Sequence, residues 1–121
     1  DKAESESEFC KKMYKNHAIN SKNMNTVKSV ILDISGGGIR FSLSTPLEEG
    51  TYFMAQFSLA LEECTQKFNI VCKVINCTQS LDYADRYFAR SKFIFDRMTE
   101  REKIVRFVFE EERRIRRREM E

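Results

Sequence analysis

The sequence has no tryptophan, one proline, one histidine and only four glycines. With His17 alone and no serine, cysteine or aspartate grouped with it, no nucleophile–base pair is in view, and the chain is expected not to be an enzyme. No apolar run approaches the roughly 20 residues of a membrane-spanning helix, so membrane insertion is not expected. Cysteine is sparse: Cys10, Cys64, Cys72 and Cys77. Cys72 and Cys77 are spaced too widely for a C-x-x-C redox or zinc knuckle, and a structural metal is not expected. No signal-peptide pattern opens the sequence. Together these absences predict a reduced, cytoplasmic domain, in which Cys72, alternating with apolar neighbours, is a small buried hydrophobe.

Charge is abundant but balanced. Asp, Glu, Lys and Arg make up 33% of the 121 residues, yet the formal net charge is +2, so a nucleic-acid partner does not follow from the total. The charges are unevenly placed. Asp1, Glu4, Glu6 and Glu8 face Lys2 alone, whereas residues 113–118 read Arg-Arg-Ile-Arg-Arg-Arg. That basic run lacks interleaved aromatics and has glutamates beside it, which argues against nucleic acid.

The length fits one domain. Residues 1–8 are expected as an acidic tail or linker remnant, and residues 9–121 as the folded unit. Phe9, Met13 and Tyr14 fit a short strand or a helical turn, and a strand is preferred for Phe9 to Ile19. Asn20 to Asn25 is a loop by composition. Val27 to Ile34 is β-branched and apolar. Gly38 to Leu43 alternates Ile39, Phe41 and Leu43 with Arg40 and Ser42. Thr45 to Gly50 holds the proline and the last glycine and marks a turn. Thr51 to Leu61 has the strongest period-2 signal, with Phe53, Ala55, Phe57, Leu59 and Leu61 on one face. Lys67 to Asn76 puts Phe68, Ile70, Cys72 and Val74 on one face and Val71 and Ile75 on the other, so both faces are expected to be partly covered. Tyr87 to Phe95 alternates again, with Arg90 and Lys92 outward. The period then changes. Thr99-Glu-Arg-Glu102 matches a capping box, and Ile104, Phe107, Val108, Glu111 and Ile115 follow at helical spacing, predicting a helix over about 99–118. Glu102–Arg106, Glu110–Arg114 and Glu112–Arg116 are candidate i,i+4 pairs. The expected fold is mainly β: a small antiparallel barrel or curled sheet with the C-terminal helix on one opening or edge.

Three of the four glycines stand together in Asp33-Ile-Ser35-Gly36-Gly37-Gly38, between two strand-like runs. Glycine weakens a strand interior, so they are expected to serve a turn needing positive φ or a surface that is closely approached. Read without a family, Asp33 and Ser35 are turn residues bonding to nearby amides. Asp33-x-Ser35-x-x-Gly38, followed by Gly-Ile-Arg-Phe, resembles the D/N-x-S-x-x-G motif of the PilZ domain. The later strands and the arginine-rich terminal helix resemble the PilZ domains of two-part flagellar-brake proteins, over about residues 9–118.

The resemblance implies a six-stranded β-barrel and binding of cyclic di-GMP, a bacterial second messenger with two guanines and two phosphates. It implies ligand contacts at Asp33, Ser35 and Gly38, with Gly36, Gly37 and Arg40 as weaker candidates. It also implies relay to another domain or protein in motility or surface-attachment control. An ionised Asp33 accepts from the guanine N1–H and N2–H₂ donors, and Ser35 donates to a phosphate or carbonyl oxygen. The sequence departs from the family at the R-x-x-x-R motif, which is not present in this chain: no arginine precedes Arg40. Lys11-x-x-x-Lys15 has the spacing, but lysine cannot fork onto a phosphate as arginine does. Two expectations remain open. The arginines lie upstream of Asp1, or the domain is a degenerate one that acts as a ligand-independent interaction module.

Overall fold

The computed structural model describes residues 2–20 and 27–120. Its elements, in chain order, are α1 (Lys2–Asn20), β1 (Val30–Ile34), β2 (Gly38–Leu43), β3 (Tyr52–Ala60), β4 (Thr65–Gln79), β5 (Tyr87–Ile94) and α2 (Met98–Met120). The five strands form one antiparallel sheet in the order β1-β2-β5-β4-β3. The expected barrel is therefore a curled half-barrel of five described strands rather than six, with β1 and β3 at its edges.

Alternation decides which side is buried, because successive strand residues point to opposite faces. Ile39, Phe41 and Leu43 of β2, Phe68, Ile70 and Cys72 of β4, and Ala89 and Phe93 of β5 all turn into the concave side. Phe57 stacks between Phe68 and Phe93, at 5.3 and 6.1 Å between ring centroids. Burial pushes the Cys72 thiol up to about 12, the behaviour of a sulfur with no water to stabilise its anion. Helix α2 closes the concave side at one end, with Ile104 fully buried in the same cluster. Toward the mouth between β1 and β3 a groove of about 900 Å³ stays open, lined by apolar residues such as Val27, Ile31, Leu47 and Phe53.

The prediction that β4 is covered on both faces is met at one residue and not at the other. Val71 points outward and is fully buried, because α1 lies over it. Ile75 is 47% exposed. It occupies a register shift between Val74 and Asn76, where an extra residue is extruded from the ladder with β5.

Three local readings need correction. Phe9 to Ile19, expected as a strand, lies inside helix α1, and the acidic stretch before it is helical from Lys2. Helix α2 starts at Met98, so Thr99 sits inside the first turn and not at the cap. Its ion pairs are Arg106–Glu110 at 3.1 Å and Arg114–Glu111 at 2.6 Å, so Glu110 and Arg114 each pair with a partner other than the one expected. Residues 21–25 of the expected loop lie outside the described residues.

Candidate ligand-binding face

The triglycine turn joins β1 to β2 and is held from three directions. The Ser35 amide donates to the Gly38 carbonyl at 2.9 Å. The Ser35 hydroxyl accepts the Gly37 amide at 3.3 Å and donates to the Gly38 carbonyl at 3.4 Å. The Phe93 amide of β5 donates to the Gly37 carbonyl at 2.9 Å.

The glycines here do not supply unusual φ. Among the described residues the only positive-φ glycine is Gly50, at 85°. What they supply is clearance. A Cβ on Gly38 would collide with the Ser91 carbonyl oxygen of β5, and one on Gly36 would come within 2.9 Å of the Val105 methyl of α2. The close approach expected at this stretch is thus made by the protein itself: Gly38 lets β2 meet β5, and Gly36 lets α2 seat against the turn.

Register places the charged residues on the convex face. Asp33 pairs with Arg40, Arg40 with Arg90, and Arg90 with Asn76, giving a row across β1, β2, β5 and β4. All four are exposed. Directly paired residues have Cβ atoms about 4.5–5.5 Å apart, so these side chains share one small patch. Two arginines face each other across β2 and β5, an arrangement that costs stability unless an anion sits between them. Among the described residues neither arginine, nor Asp33, takes part in an ion pair.

The next row runs Tyr52, Lys73, Lys92 and Gly38. Here helix α1 intervenes. Glu6 accepts from the Tyr52 hydroxyl at 2.7 Å and from Lys73 Nζ at 3.3 Å, and lies 3.8 Å from Lys92 Nζ. The Tyr52 hydrogen bond, then that from Lys73, holds the Glu6 carboxyl below its ordinary value. Lys73 also lies 5.3 Å from the centre of the Tyr52 ring.

One turn further on, Cys10 is 4% exposed beneath the helix. A turn beyond that, the Tyr14 hydroxyl accepts the Val71 amide at 3.0 Å and donates to the Ile94 carbonyl at 2.6 Å. It bridges β4 and β5 where their ladder ends, and burial pushes it up to about 12. Lys11, Lys12 and Lys15 are exposed on α1. Lys11 borders a pocket that Glu6, Cys10 and Tyr14 also line.

Asp33, Arg40 and the turn that holds Ser35 lie together through the β1–β2 register. Arg90, Lys92 and Lys73 join them across the sheet. The parity of Arg90 and Lys92 marked them as outward-facing, but only strand order and register make them neighbours of Arg40 and Gly38. No group of histidine, cysteine, aspartate or glutamate suited to hold a metal occurs among the described residues. No helix of the described residues is long and apolar enough to cross a membrane.

The chain is thus a curled antiparallel sheet capped by a C-terminal helix, with an Asp-x-Ser-x-x-Gly turn beside a row of charged residues. The PilZ domain family matches residues 14–110, and the chain belongs to that family. PilZ domains as a family bind cyclic di-GMP. No curated protein and no solved structure matches the chain.

Proposed function

We propose that the convex face around Asp33, Arg40 and Arg90 binds cyclic di-GMP, and that this non-catalytic, cytoplasmic domain relays binding to a partner domain or protein in motility or surface-attachment control. The observation that carries the reading is the Asp33–Arg40–Arg90 row, in which one acceptor and two guanidinium groups share a patch and take part in no ion pair among the described residues. A guanine edge offers two adjacent donors, which suit the Asp33 carboxylate. Each phosphate is a forked acceptor, which suits Arg40 and Arg90, and such charge-assisted bonds are about twice as strong as neutral ones. Arg40 and Arg90 on neighbouring strands offer arginine charge to the phosphates. The rigid turn gives Ser35 a fixed position from which its hydroxyl can exchange the long 3.4 Å bond to Gly38 for a ligand oxygen. The apolar groove between β1 and β3 is a poor match for so polar a ligand.

Calorimetric titration with cyclic di-GMP tests the reading. Binding is expected, with loss of measurable heat in Asp33→Ala and about tenfold or greater weakening in Arg40→Ala or Arg90→Ala, since a charge-assisted hydrogen bond contributes about 1.5–3 kcal/mol. Absence of binding up to millimolar ligand, also when native sequence preceding Asp1 is included, would sink it.

A second reading, a degenerate domain that contacts a protein without ligand, is favoured by the outer half of α2. There Phe109, Ile115 and Met120 are 60%, 50% and 88% exposed between arginines. Partner contact that is indifferent to cyclic di-GMP and survives Asp33→Ala would select this reading over the first.

A further inference from the structure

The contact between α1 and the convex face has an unusual composition. The docked side of the helix is Glu6, Phe9, Cys10 and Tyr14: the Phe9 ring lies 4.9 Å from that of Tyr52 and Cys10 is buried, while Glu6 and the Tyr14 hydroxyl make polar contacts. An isolated helix of this length is marginal in water and needs tertiary contacts to persist. Beside the ring contact of Phe9 and the buried Cys10, Glu6 meets a converging set of donors: the Tyr52 hydroxyl and the Lys73 and Lys92 ammonium groups, drawn from three strands. Three donors converging on one carboxylate form an anion-binding geometry, since a phosphate oxygen pair presents the same acceptors with more charge. Lys92 belongs to the strand pairing that holds Arg40 and Arg90, two residues along on the same face. The proposed ligand face and the Glu6 contact are therefore continuous.

We propose that Tyr52, Lys73 and Lys92 form a phosphate-class anion site, and that Glu6 is its built-in occupant, so that an external phosphate-bearing ligand and docked α1 compete for one place. Only the identity of the natural ligand rests on the cyclic di-GMP reading. The competition itself needs no more than an anion with two or more acceptor oxygens. Displacement of Glu6 frees the polar side of α1 and uncovers Cys10, so ligand occupancy becomes a change in the accessibility of the helix. The lowered proton affinity of Glu6 and the raised one of Lys73 agree with an ion pair fully formed at neutral pH.

Cys10 gives a readout independent of any binding assay. Its alkylation by iodoacetamide is followed by mass spectrometry of the whole chain's peptides, with exposed Cys64 as an internal reference. Glu6→Gln is expected to speed Cys10 alkylation by about two- to tenfold, the equivalent of one or two exposed ion pairs. Inorganic pyrophosphate is expected to speed it in the unaltered chain beyond a sodium chloride control of equal ionic strength. The paired change Lys73→Gln and Lys92→Gln is expected to give fast alkylation with no further response to pyrophosphate. Alkylation unchanged by Glu6→Gln overturns the proposal, as does a pyrophosphate effect no greater than that of chloride. Cyclic di-GMP, run in the same assay, separates the two readings. Release of α1 by pyrophosphate but not by cyclic di-GMP, with no calorimetric binding of the latter, supports the anion site and removes the proposed ligand. Calorimetric binding of cyclic di-GMP that leaves Cys10 protected overturns the competition.

Discussion

Helices α1 and α2 both lie against the sheet, but on opposite faces and by different physics. Helix α2 inserts Ile104, with no exposed surface, into the concave core and presses Val105 against the glycine turn. Helix α1 sits on the convex face through a carboxylate, the Phe9 ring against Tyr52, a buried thiol and a phenol hydroxyl. Apolar burial of the first kind is insensitive to pH, salt and small ions. Of the second set, the partly exposed Glu6 ion pairs contribute little each and can be replaced by a solute with matching charges. One helix is held by the apolar core, and the other by a mixed set of contacts whose Glu6 end rests on a basic surface.

Five changes probe that difference. Ile104→Ala is expected to lower stability by about 2–5 kcal/mol through lost apolar contact and a residual cavity. Denaturant unfolding checks it, and a cost below that range would mean α2 is not part of the core. Gly38→Ala forces a methyl group into the β5 backbone and is expected to cost about 3 kcal/mol, at the upper end of overpacking. Gly36→Ala should cost less, because it meets a side-chain methyl that can shift. Comparing the two unfolding midpoints tests whether the strand contact or the helix contact is the tighter.

On the other face, Tyr14→Phe removes the bridge between Val71 and Ile94 and leaves a buried amide unsatisfied, at about 1–3 kcal/mol. Hydrogen exchange at Val71 should rise with it. The hydroxyl's raised pKa gives stability that is full below its ordinary value of 10.0 and lost as pH rises toward about 12. The smallest effect belongs to Glu6. Its lowered pKa gives a contribution present above the ordinary 4.5 and lost as pH falls below it, so α1 should loosen at acid pH while the core persists. Cys10 protection measured against pH, with far-UV circular dichroism as the control, detects this. Simultaneous loss of both would mean the two helices are not separable.

The legible parts of the chain were those whose signal is local. Ile39, Phe41 and Leu43, or Tyr87, Ala89 and Phe93, alternate because each strand has one wet face and one dry one, and that pattern is written within six to eight residues. The stripe of α2 is equally local, and its misplaced start at Thr99 is a shift of one residue. Helix α1 escaped such reading because its apolar side, Phe9, Cys10, Met13 and Tyr14, is short enough to fit a strand as well as a helical turn. Its anchors are Glu6 to Lys73, 67 residues apart, and Tyr14 to Val71, 57 residues apart. The bulge at Ile75 was hidden for a related reason: an extra residue changes parity only relative to the partner strand.

The candidate site divides in the same way. Sequence alone determined the Asp33-x-Ser35-x-x-Gly38 motif, the outward parity of Arg40, Arg90 and Lys92, and the burial of Cys72, since each depends on neighbours along the chain. Tertiary structure decided that the glycines provide clearance for β5 and α2 rather than unusual φ. It also decided that Asp33, Arg40 and Arg90 stand in one row, and that Glu6 lies on Lys73 and Lys92. The physical reason is that which strands lie side by side, and in what register, follows from burying a whole face at once, a sum over the entire sheet that no short stretch of sequence contains.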